Sequence, residues 1–463
     1  MRVPYLAVLA LLAAPVLARA EPPAHLPPQE HPVLRRIVDA VSVERLRAID
    51  TRLVGFGTRH TLSDTRSGKR GIGAARRWVR AQFESISAGC EHCLRVITPS
   101  RVFKGKRTPA AGVEVKDIVA IQKGSDANRY IIMTAHLDSR VSDVMDATSD
   151  APGADDDGSG VAALIEVARV LSKYKFAATL VYSADSGEEQ GLYGGRIIAD
   201  YARDQGWNVE ANLNNDMIGN SHGSDGVIDN TTARIFSEAV KSRITPEQLR
   251  TMRYTGGFVD SPSRNVARYI AALADRHVPD LHFMLMYRQD RFRRGGDQIA
   301  FNRNGFPAVR INEAHENWRH QHQDVRVEKG MQYGDLAEFV DFPFLAKMTA
   351  ANAIAMASMA WAPAPPEQVR ITSNLSPDTQ VSWQPVSAAA GYRIYWRATD
   401  APMWQHSIYV GQLSQYTMKN KVIDNSYFGV ASVSGDGFES PVVFPGPGGA
   451  FSNAGSGSGA PEK

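Results

Sequence analysis

The sequence contains only two cysteines, Cys90 and Cys93, in 463 residues, which excludes a fold held together by several disulfides. The pair lies in the pattern CEHC, after an amphipathic segment that ends at Gly89. A redox-active Cys-x-x-Cys pair usually begins a helix directly after a strand, and a zinc knuckle needs two more ligands than His92 supplies. We therefore interpret the pair as a small structural disulfide.

The sequence also lacks an excess of charge of either sign. Its 52 lysines and arginines and 49 aspartates and glutamates leave a formal net charge of +3. No run of basic residues is interleaved with aromatic residues, as a nucleic-acid surface would require. We therefore expect no nucleic-acid partner. With 43% apolar and 22% charged residues, the composition is that of a globular chain long enough for two or three domains.

Long hydrophobic runs are missing too. The apolar stretch at residues 5–17 falls short of the ~20 residues that a spanning helix needs. It follows Arg2 and precedes Ala18-Arg19-Ala20, which is the order of a cleaved export signal. We predict a signal peptide at residues 1–20, a mature chain from Glu21 without a membrane span, and a periplasmic or secreted location.

The clearest structural pattern lies in residues 129–189. Two apolar, β-branched runs at residues 130–135 and 178–184 flank a segment of helical period at residues 161–174. This pattern predicts a βαβ unit. Further strands alternate with helices as far as residue 312, which predicts an α/β fold with a mostly parallel or mixed central sheet and helices on both faces.

The composition changes at the linker APAPP, residues 362–366. Beyond it, short aromatic and β-branched runs separated by turn residues predict a small all-β sandwich at residues 362–445. Its segments VSW, YRIYW and YFGVASV resemble a fibronectin type III domain. We expect this domain to make surface or polymer contacts and to be separable from the domain at residues 21–361. The Gly/Ser-rich residues 446–463 are predicted to be a disordered tail.

Chemically active side chains follow the predicted strands where each one ends. His136 and Asp138 follow the first strand of the βαβ unit, Glu188 and Glu189 follow the second, and Asp216 follows a later one. The carboxyl ends of the strands of an open parallel sheet share one edge, where ligands bind. We therefore expect these side chains to lie close together.

The run PGADDDGSG adds three carboxylates directly before a helix. Helix capping by Asp157 is one interpretation. An EF-hand loop is excluded, because placing Gly158 at position six puts Gly153 and Leu164 at the outer ligand positions. Three adjacent carboxylates repel one another unless a cation is present, which favours a metal site. With a late histidine from EAHENWRHQHQD, the chain offers five ligands, enough for two zinc ions if one carboxylate bridges.

The order HLDS, APGADDDGSG, GEEQGL, NNDM and a histidine four residues before an aspartate resembles the co-catalytic zinc exopeptidases, which include bacterial leucyl aminopeptidase and glutamate carboxypeptidase. The resemblance implies the zinc exopeptidase fold, with two Zn²⁺ bound and Glu188 as the general base. The ligands that it implies are His136, Asp156, Glu189, Asp216 and one late histidine. His320 and Asp324 match the family's His-x-x-x-Asp pattern, so His320 is the predicted last ligand and His322 the alternative.

Two further residue assignments accompany this resemblance. Asp138 is predicted to accept a hydrogen bond from the His136 ring, as carboxylates beside metal-binding histidines commonly do. RFRRGGDQ stands where some relatives have a tyrosine that supports the oxyanion, which leaves Arg293 or Arg294 as candidates for that role.

The predicted function is that of an exported zinc aminopeptidase acting on peptides. A carboxypeptidase of the same fold and a catalytically inactive exported binding or adhesion protein are the alternatives. Residues 219–223, GNSHG, match the serine hydrolase pattern G-x-S-x-G, but turn residues follow where that motif needs a helix.

Overall fold

The computed structural model describes residues 26–126, 128–242, 244–373 and 375–451. The predicted signal peptide and residues 452–463 of the predicted tail lie outside these ranges. Across the described ranges, no helix combines the length and the apolar character needed to cross a membrane.

Strands and helices largely alternate over residues 129–313, as predicted, whereas residues 94–136 form five successive strands. The strands are β1 (Leu94–Ile97), β2 (Ser100–Phe103), β3 (Val113–Lys116), β4 (Ile118–Gln122), β5 (Arg129–His136), β6 (Thr179–Asp185), β7 (Asn208–Asn215), β8 (Thr232–Ser237), β9 (His282–Met286), β10 (Ala308–Glu313), β11 (Arg326–Glu328) and β12 (Met331–Tyr333). The helices are α1 (Pro32–Asp39), α2 (Val43–Val54), α3 (Ile72–Ala88), α4 (Gly160–Leu171), α5 (Glu188–Gly191), α6 (Tyr193–Asp204), α7 (Pro246–Thr255), α8 (Pro262–His277), α9 (Gln298–Arg303) and α10 (Phe342–Trp361).

The central sheet is mixed and has the spatial order β1-β4-β6-β5-β7-β10-β8-β9. Its middle strands run parallel, with β5 between β6 and β7 and with β10 beside β7. β4 pairs with β6 and β8 pairs with β10 in the antiparallel direction. The parallel middle places the carboxyl ends of β5, β6 and β7 at one edge.

Helices cover both faces of the sheet, which explains why the middle strands β5 and β6 consist largely of continuous apolar runs. Alternate residues of β5 enter different cores: Ile131 and Met133 pack with α4 and α10, whereas Ile132 packs with α6 and α9. The helix α10 is apolar on all sides and is buried along most of its length. Its Asp341 cap accepts a hydrogen bond from the Phe344 N–H at 3.0 Å.

The C-terminal domain consists of two three-stranded antiparallel sheets. Its strands are β13 (Glu367–Thr372), β14 (Thr379–Gln384), β15 (Gly391–Ala398), β16 (His406–Gly411), β17 (Gln415–Met418) and β18 (Ser426–Val433). The all-β sandwich thus agrees with the sequence pattern. The fibronectin type III assignment and the surface or polymer contact stay predictions.

The sandwich shares a buried core with the first domain. This argues against the prediction that the two domains can be separated. Trp383 and Ile394 of the sandwich belong to the same continuous buried core as α10. Asp260, before α8, accepts hydrogen bonds from Arg268 at 2.7 Å and from Arg397 of the sandwich at 2.6 Å. Removing the sandwich would expose this core and separate a buried ion pair.

Both ends of the described chain also contact the sandwich. His31 stacks on Phe438 with ring centroids 4.2 Å apart. The Gly446 N–H donates to the Val369 carbonyl at 3.0 Å, and Phe451 is buried in the shared core. The prediction of a disordered tail is therefore wrong for residues 446–451, because an apolar side chain anchors this Gly-rich segment. The predicted disulfide between Cys90 and Cys93 is present and closes the turn between α3 and β1.

Candidate active site

Three adjacent parallel strands deliver the predicted residues to one edge of the sheet. β5 ends at His136, β6 ends just before Glu188 and Glu189, and β7 ends just before Asp216. Gly187 has a left-handed φ of 76°, which glycine adopts without steric cost, and it turns the chain so that the two glutamates begin α5 at this edge.

The acidic run forms an irregular turn at residues 154–159 that leads into α4. Its three carboxylates have different partners. Asp157 accepts a hydrogen bond from the His136 N–H at 2.9 Å, and Asp155 accepts one from the Gly219 N–H at 2.8 Å. Only the carboxylate of Asp156, the middle residue of the run, faces the histidines.

Two groups of metal-capable side chains meet at Asp156. One consists of His136, Asp156 and Asp216, and the other of Asp156, Glu189 and His322, with the ligand atoms of each group within 4.8 Å of one another. Nε2 of His136 lies 3.0 Å from Oδ1 of Asp156, whereas Nε2 of His322 lies 3.0 Å from Oδ2. Each oxygen of this carboxylate therefore faces a different histidine.

The donor set fits two zinc ions. Each group offers one imidazole nitrogen and oxygens from two carboxylates, which are common zinc ligands, and three protein ligands leave a further position open, as in catalytic zinc sites. In the first group, Nε2 of His136 is 4.0 Å from Oδ1 of Asp216. In the second, Nε2 of His322 is 2.9 Å from Oε1 of Glu189. Asp156 is placed to bridge the two positions.

The structure does not bring His320 to this site, contrary to the prediction. The His320 ring stacks on Phe339 with centroids 3.8 Å apart. Burial lowers its pKa to about 4, and the positive charge of Arg319 adds to the effect. His322 turns towards the carboxylates because it has a left-handed φ of 56°. Burial alone would lower the His322 pKa, but Glu189 and Asp156 raise it to about 10.

Asp138 differs from the prediction in the group that it uses. Nδ1 of His136 lies 2.9 Å from the backbone carbonyl of Asp138, which accepts its hydrogen bond, and 3.7 Å from the carboxylate. The carboxylate instead accepts hydrogen bonds from the backbone N–H groups of Glu188 and Glu189 at 3.2 and 3.3 Å. A hydroxyl hydrogen bond from Thr61 at 2.7 Å holds it in place. Asp138 thus orients both glutamates.

Glu188 and Glu189 occupy different environments although they are neighbours in sequence. The Glu189 carboxylate contacts His322 and receives a hydrogen bond from Arg140 at 2.9 Å. The Glu188 carboxylate lines the open cleft and makes no hydrogen bond or ion pair within the described part of the chain. Glu189 is therefore placed as a ligand, and Glu188 is free to exchange a proton.

The pKa values of Glu188 and Glu189 are shifted in opposite directions. Burial raises the pKa of Glu188 well above its usual range, despite the opposing charge of His136. Burial would also raise the pKa of Glu189, but the charge of His322 and then that of Arg140 lower it. For Asp156, contacts with His322 and His136 outweigh burial and lower the pKa well below its usual range.

Supporting residues around the site include several that the sequence analysis did not identify. The fully buried Arg310 donates a hydrogen bond to Oδ2 of Asp216, which leaves Oδ1 for His136 and the metal position. Asp335 accepts hydrogen bonds from the N–H groups of Asp155 and Asp156 at 2.9 and 2.8 Å. One signal was available for Arg310, since a charged residue inside an apolar strand needs a buried partner.

Ser221 of the pattern GNSHG is not placed as a nucleophile. Its buried hydroxyl donates to Asp341 at 2.8 Å, the residue that caps α10, and no helix follows it directly. The pattern is part of a structural turn.

The chain is similar in sequence to known peptidases. Residues 117–332 match the model of peptidase family M28. A protein of Leptosphaeria maculans named probable zinc metalloprotease is 41% identical over 419 residues, which cover 90% of this chain and 97% of that protein. A protein of Pyricularia oryzae with the same name is 41% identical over 428 residues, covering 90% and 84% of the two chains.

The fold is similar to that of the LapA aminopeptidase of Legionella pneumophila. The TM-score is 0.52 at 17% sequence identity, and the likeness covers 73% of this chain and 77% of that one. The predicted fold class, a mixed sheet covered by helices as in zinc exopeptidases, is confirmed.

Proposed function

The chain belongs to peptidase family M28 and is a zinc metallopeptidase, and from this premise we propose that it is an exported two-zinc aminopeptidase that removes N-terminal residues from peptides. One observation above all supports two zinc ions rather than one. The two carboxylate oxygens of Asp156 face His136 and His322 separately, so that one carboxylate serves both ligand groups. We propose His322, in place of His320, as the last ligand.

The residues of the chain divide the work of hydrolysis in this proposal. When bound, two zinc ions polarise the scissile carbonyl and make the attacking water more acidic. Glu188 takes a proton from that water and returns it to the leaving amine, which requires a carboxylate that is not itself held as a ligand. Asp138 orients Glu188 through the backbone hydrogen bond at 3.2 Å. Arg310 keeps one oxygen of Asp216 turned towards the metal position.

Cleavage from the amino terminus is supported by the fold that the chain shares with LapA, which is named an aminopeptidase. Carboxypeptidase activity is the second candidate, because five arginines line the cleft and guanidinium groups bind carboxylates. Export is supported by the signal pattern at residues 1–20 and by the Cys90–Cys93 disulfide, since disulfides persist in oxidising compartments.

Two measurements test this proposal. Chelation of the purified protein should abolish peptide hydrolysis, and Zn²⁺ should restore it as the zinc content rises to two ions per chain. A panel of one peptide with its amino terminus free or acetylated, and its carboxyl terminus free or amidated, then identifies the end that is cleaved. Acetylation should stop cleavage and amidation should not. Full activity in the metal-free protein, or cleavage that is insensitive to acetylation, would contradict the assignment.

A further inference from the structure

The cleft over the ligand groups is lined by an unusual number of arginines. It has a volume of about 500 Å³, and its described lining includes Asp156, Glu188, Glu189 and Asp216. Five arginines line the same cleft: Arg107, Arg140, Arg291, Arg293 and Arg294. A zinc peptidase needs the acidic residues to bind metal and to exchange protons, but this does not explain why arginines line the cleft.

Three of the five arginines already have acidic partners. Nε of Arg140 lies 2.9 Å from Oε2 of Glu189. Arg291 and Arg294 share Glu316, at 3.3 and 2.8 Å. These contacts anchor the loop at residues 290–297 and one wall of the cleft, so we assign these three arginines to the structure of the site.

Arg107 and Arg293 have no acidic partner among the described residues. Arg107 donates a hydrogen bond to the backbone carbonyl of Glu189 at 2.8 Å, which fixes its guanidinium beside that ligand without neutralising it. Arg293 lies over the Phe292 ring, 5.5 Å from the centroid, and has a left-handed φ of 60°. Both side chains belong to exposed residues at the mouth of the cleft.

The acidic residues of the cleft are not available to neutralise the positive charges of Arg107 and Arg293. Asp156, Glu189 and Asp216 are placed to bind metal, and Glu188 is the proposed base. If those carboxylates bind metal ions, they do not neutralise Arg107 and Arg293. The positive charges of these two arginines are then available to bind a group of the substrate. Guanidinium groups bind carboxylates through two parallel hydrogen bonds, and a cleft with low-dielectric walls strengthens the attraction.

We propose that Arg107 and Arg293 bind a substrate carboxylate, so that the enzyme prefers peptides with a negative charge next to the scissile bond. This inference rests on the proposed peptidase function and specifies its substrate class. The carboxylate has two sources, an acidic side chain on either side of the bond and the free α-carboxylate of a dipeptide. A neutral isostere leaves the arginines unpaired and should be a poorer substrate.

Matched peptides test the proposal on the zinc-loaded full chain. Glu is compared with Gln at the first and at the second position of an amidated peptide, and a dipeptide with a free carboxylate is compared with its amide. We expect at least one charged member to have a kcat/KM higher by on the order of tenfold, the discrimination typical of one charge-assisted pair. Because both arginines are exposed, the ratio should fall as salt is added.

Variants of the two arginines then identify the side chain responsible. Arg107→Gln and Arg293→Gln should each lower the charged-to-neutral ratio, mainly through KM of the charged peptide. Arg253→Gln is the matched control, because Arg253 is an exposed arginine of α7 outside the cleft, and it should leave the ratio unchanged.

The outcomes distinguish this inference from the function on which it rests. Equal kcat/KM for the two members of every pair, with neutral peptides cleaved, overturns the substrate class and leaves the peptidase intact. Cleavage of no peptide at all overturns the proposed function. In that case, calorimetric titration of the zinc-loaded protein with L-glutamate and L-glutamine decides the carboxylate site separately. Tighter binding of glutamate that Arg293→Gln or Arg107→Gln removes supports the site, and equal binding overturns it.

Discussion

Replacing Asp260 by asparagine should destabilise the whole protein, because this one carboxylate joins the two domains. Its oxygens lie 2.7 Å from Arg268 of α8 and 2.6 Å from Arg397 of the sandwich. All three side chains are almost fully buried, with 0% to 2% of their surface exposed. Asparagine keeps the shape of the side chain but leaves two buried guanidinium charges without a counter-charge.

The expected cost is about 3–5 kcal/mol, the usual penalty for removing one partner of a buried ion pair. Unfolding entropies near 2.1 cal/mol/K per residue correspond to roughly 0.9 kcal/mol/K for the residues that the structure describes. The midpoint of thermal unfolding should therefore fall by about 3–5 °C.

Differential scanning calorimetry with a matched control provides the measurement. Asp275→Asn changes an exposed aspartate at the other end of α8, whose partner His282 lies 2.8 Å away and is also exposed. Exposed pairs of this kind contribute about 0–1 kcal/mol, so this variant should unfold close to the unmodified protein. Adding Arg397→Met to Asp260→Asn should restore part of the loss. Equal unfolding temperatures for Asp260→Asn and Asp275→Asn would refute the argument that this ion pair joins the domains.

Three further predictions concern the metal site and are checked by zinc analysis together with kinetics. Glu188→Gln should retain both zinc ions and lower kcat by a factor on the order of 10²–10⁴. Glu189→Gln should instead lose zinc from one site, and its activity should recover partly in excess Zn²⁺. The reverse pattern would contradict the assignment of the two glutamates. His322→Ala should bind less zinc and His320→Ala should bind the normal amount, and an equal loss in both would argue against the choice of ligand. Arg310→Met should weaken zinc binding on the order of 10–100-fold because the carboxylate oriented by Arg310 becomes free to rotate, and Arg310→Lys should weaken it less. Unchanged zinc affinity in the methionine variant would show that Asp216 needs no support.

The sequence was sufficient to predict the middle of the sheet and most residues of the candidate site. β5 and β6 are long apolar runs, whereas β7 mixes apolar and polar residues. Chemically active residues lie at or just after the end of each strand, and parallel strands necessarily bring those ends together. For this reason the strand ends alone group His136, Glu189 and Asp216, and the acidic run before α4 adds Asp156. The short strands β4 and β8 lack such a pattern and were not identified.

Other features depend on geometry that local sequence does not determine. The choice between His320 and His322 depends on one left-handed residue in a turn, and both histidines occur in HQHQD. The use of Asp138 through its backbone carbonyl depends on how the chain leaves β5. The contact between the two domains depends on the ion pair of Asp260 and Arg397. These residues are 137 positions apart, and no sequence pattern relates them.

The contacts at the two ends of the chain determine when folding can be completed during synthesis. His31 precedes the catalytic sheet in the chain, but its stacking partner Phe438 is synthesised only after the whole catalytic domain and strands β13 to β18. Arg397 likewise reaches Asp260 late. The nascent catalytic domain must therefore wait, incompletely closed, until the sandwich is synthesised. Until then, the Trp361 ring at the end of α10 lacks its neighbour Phe438, whose ring centroid lies 4.9 Å away in the folded protein.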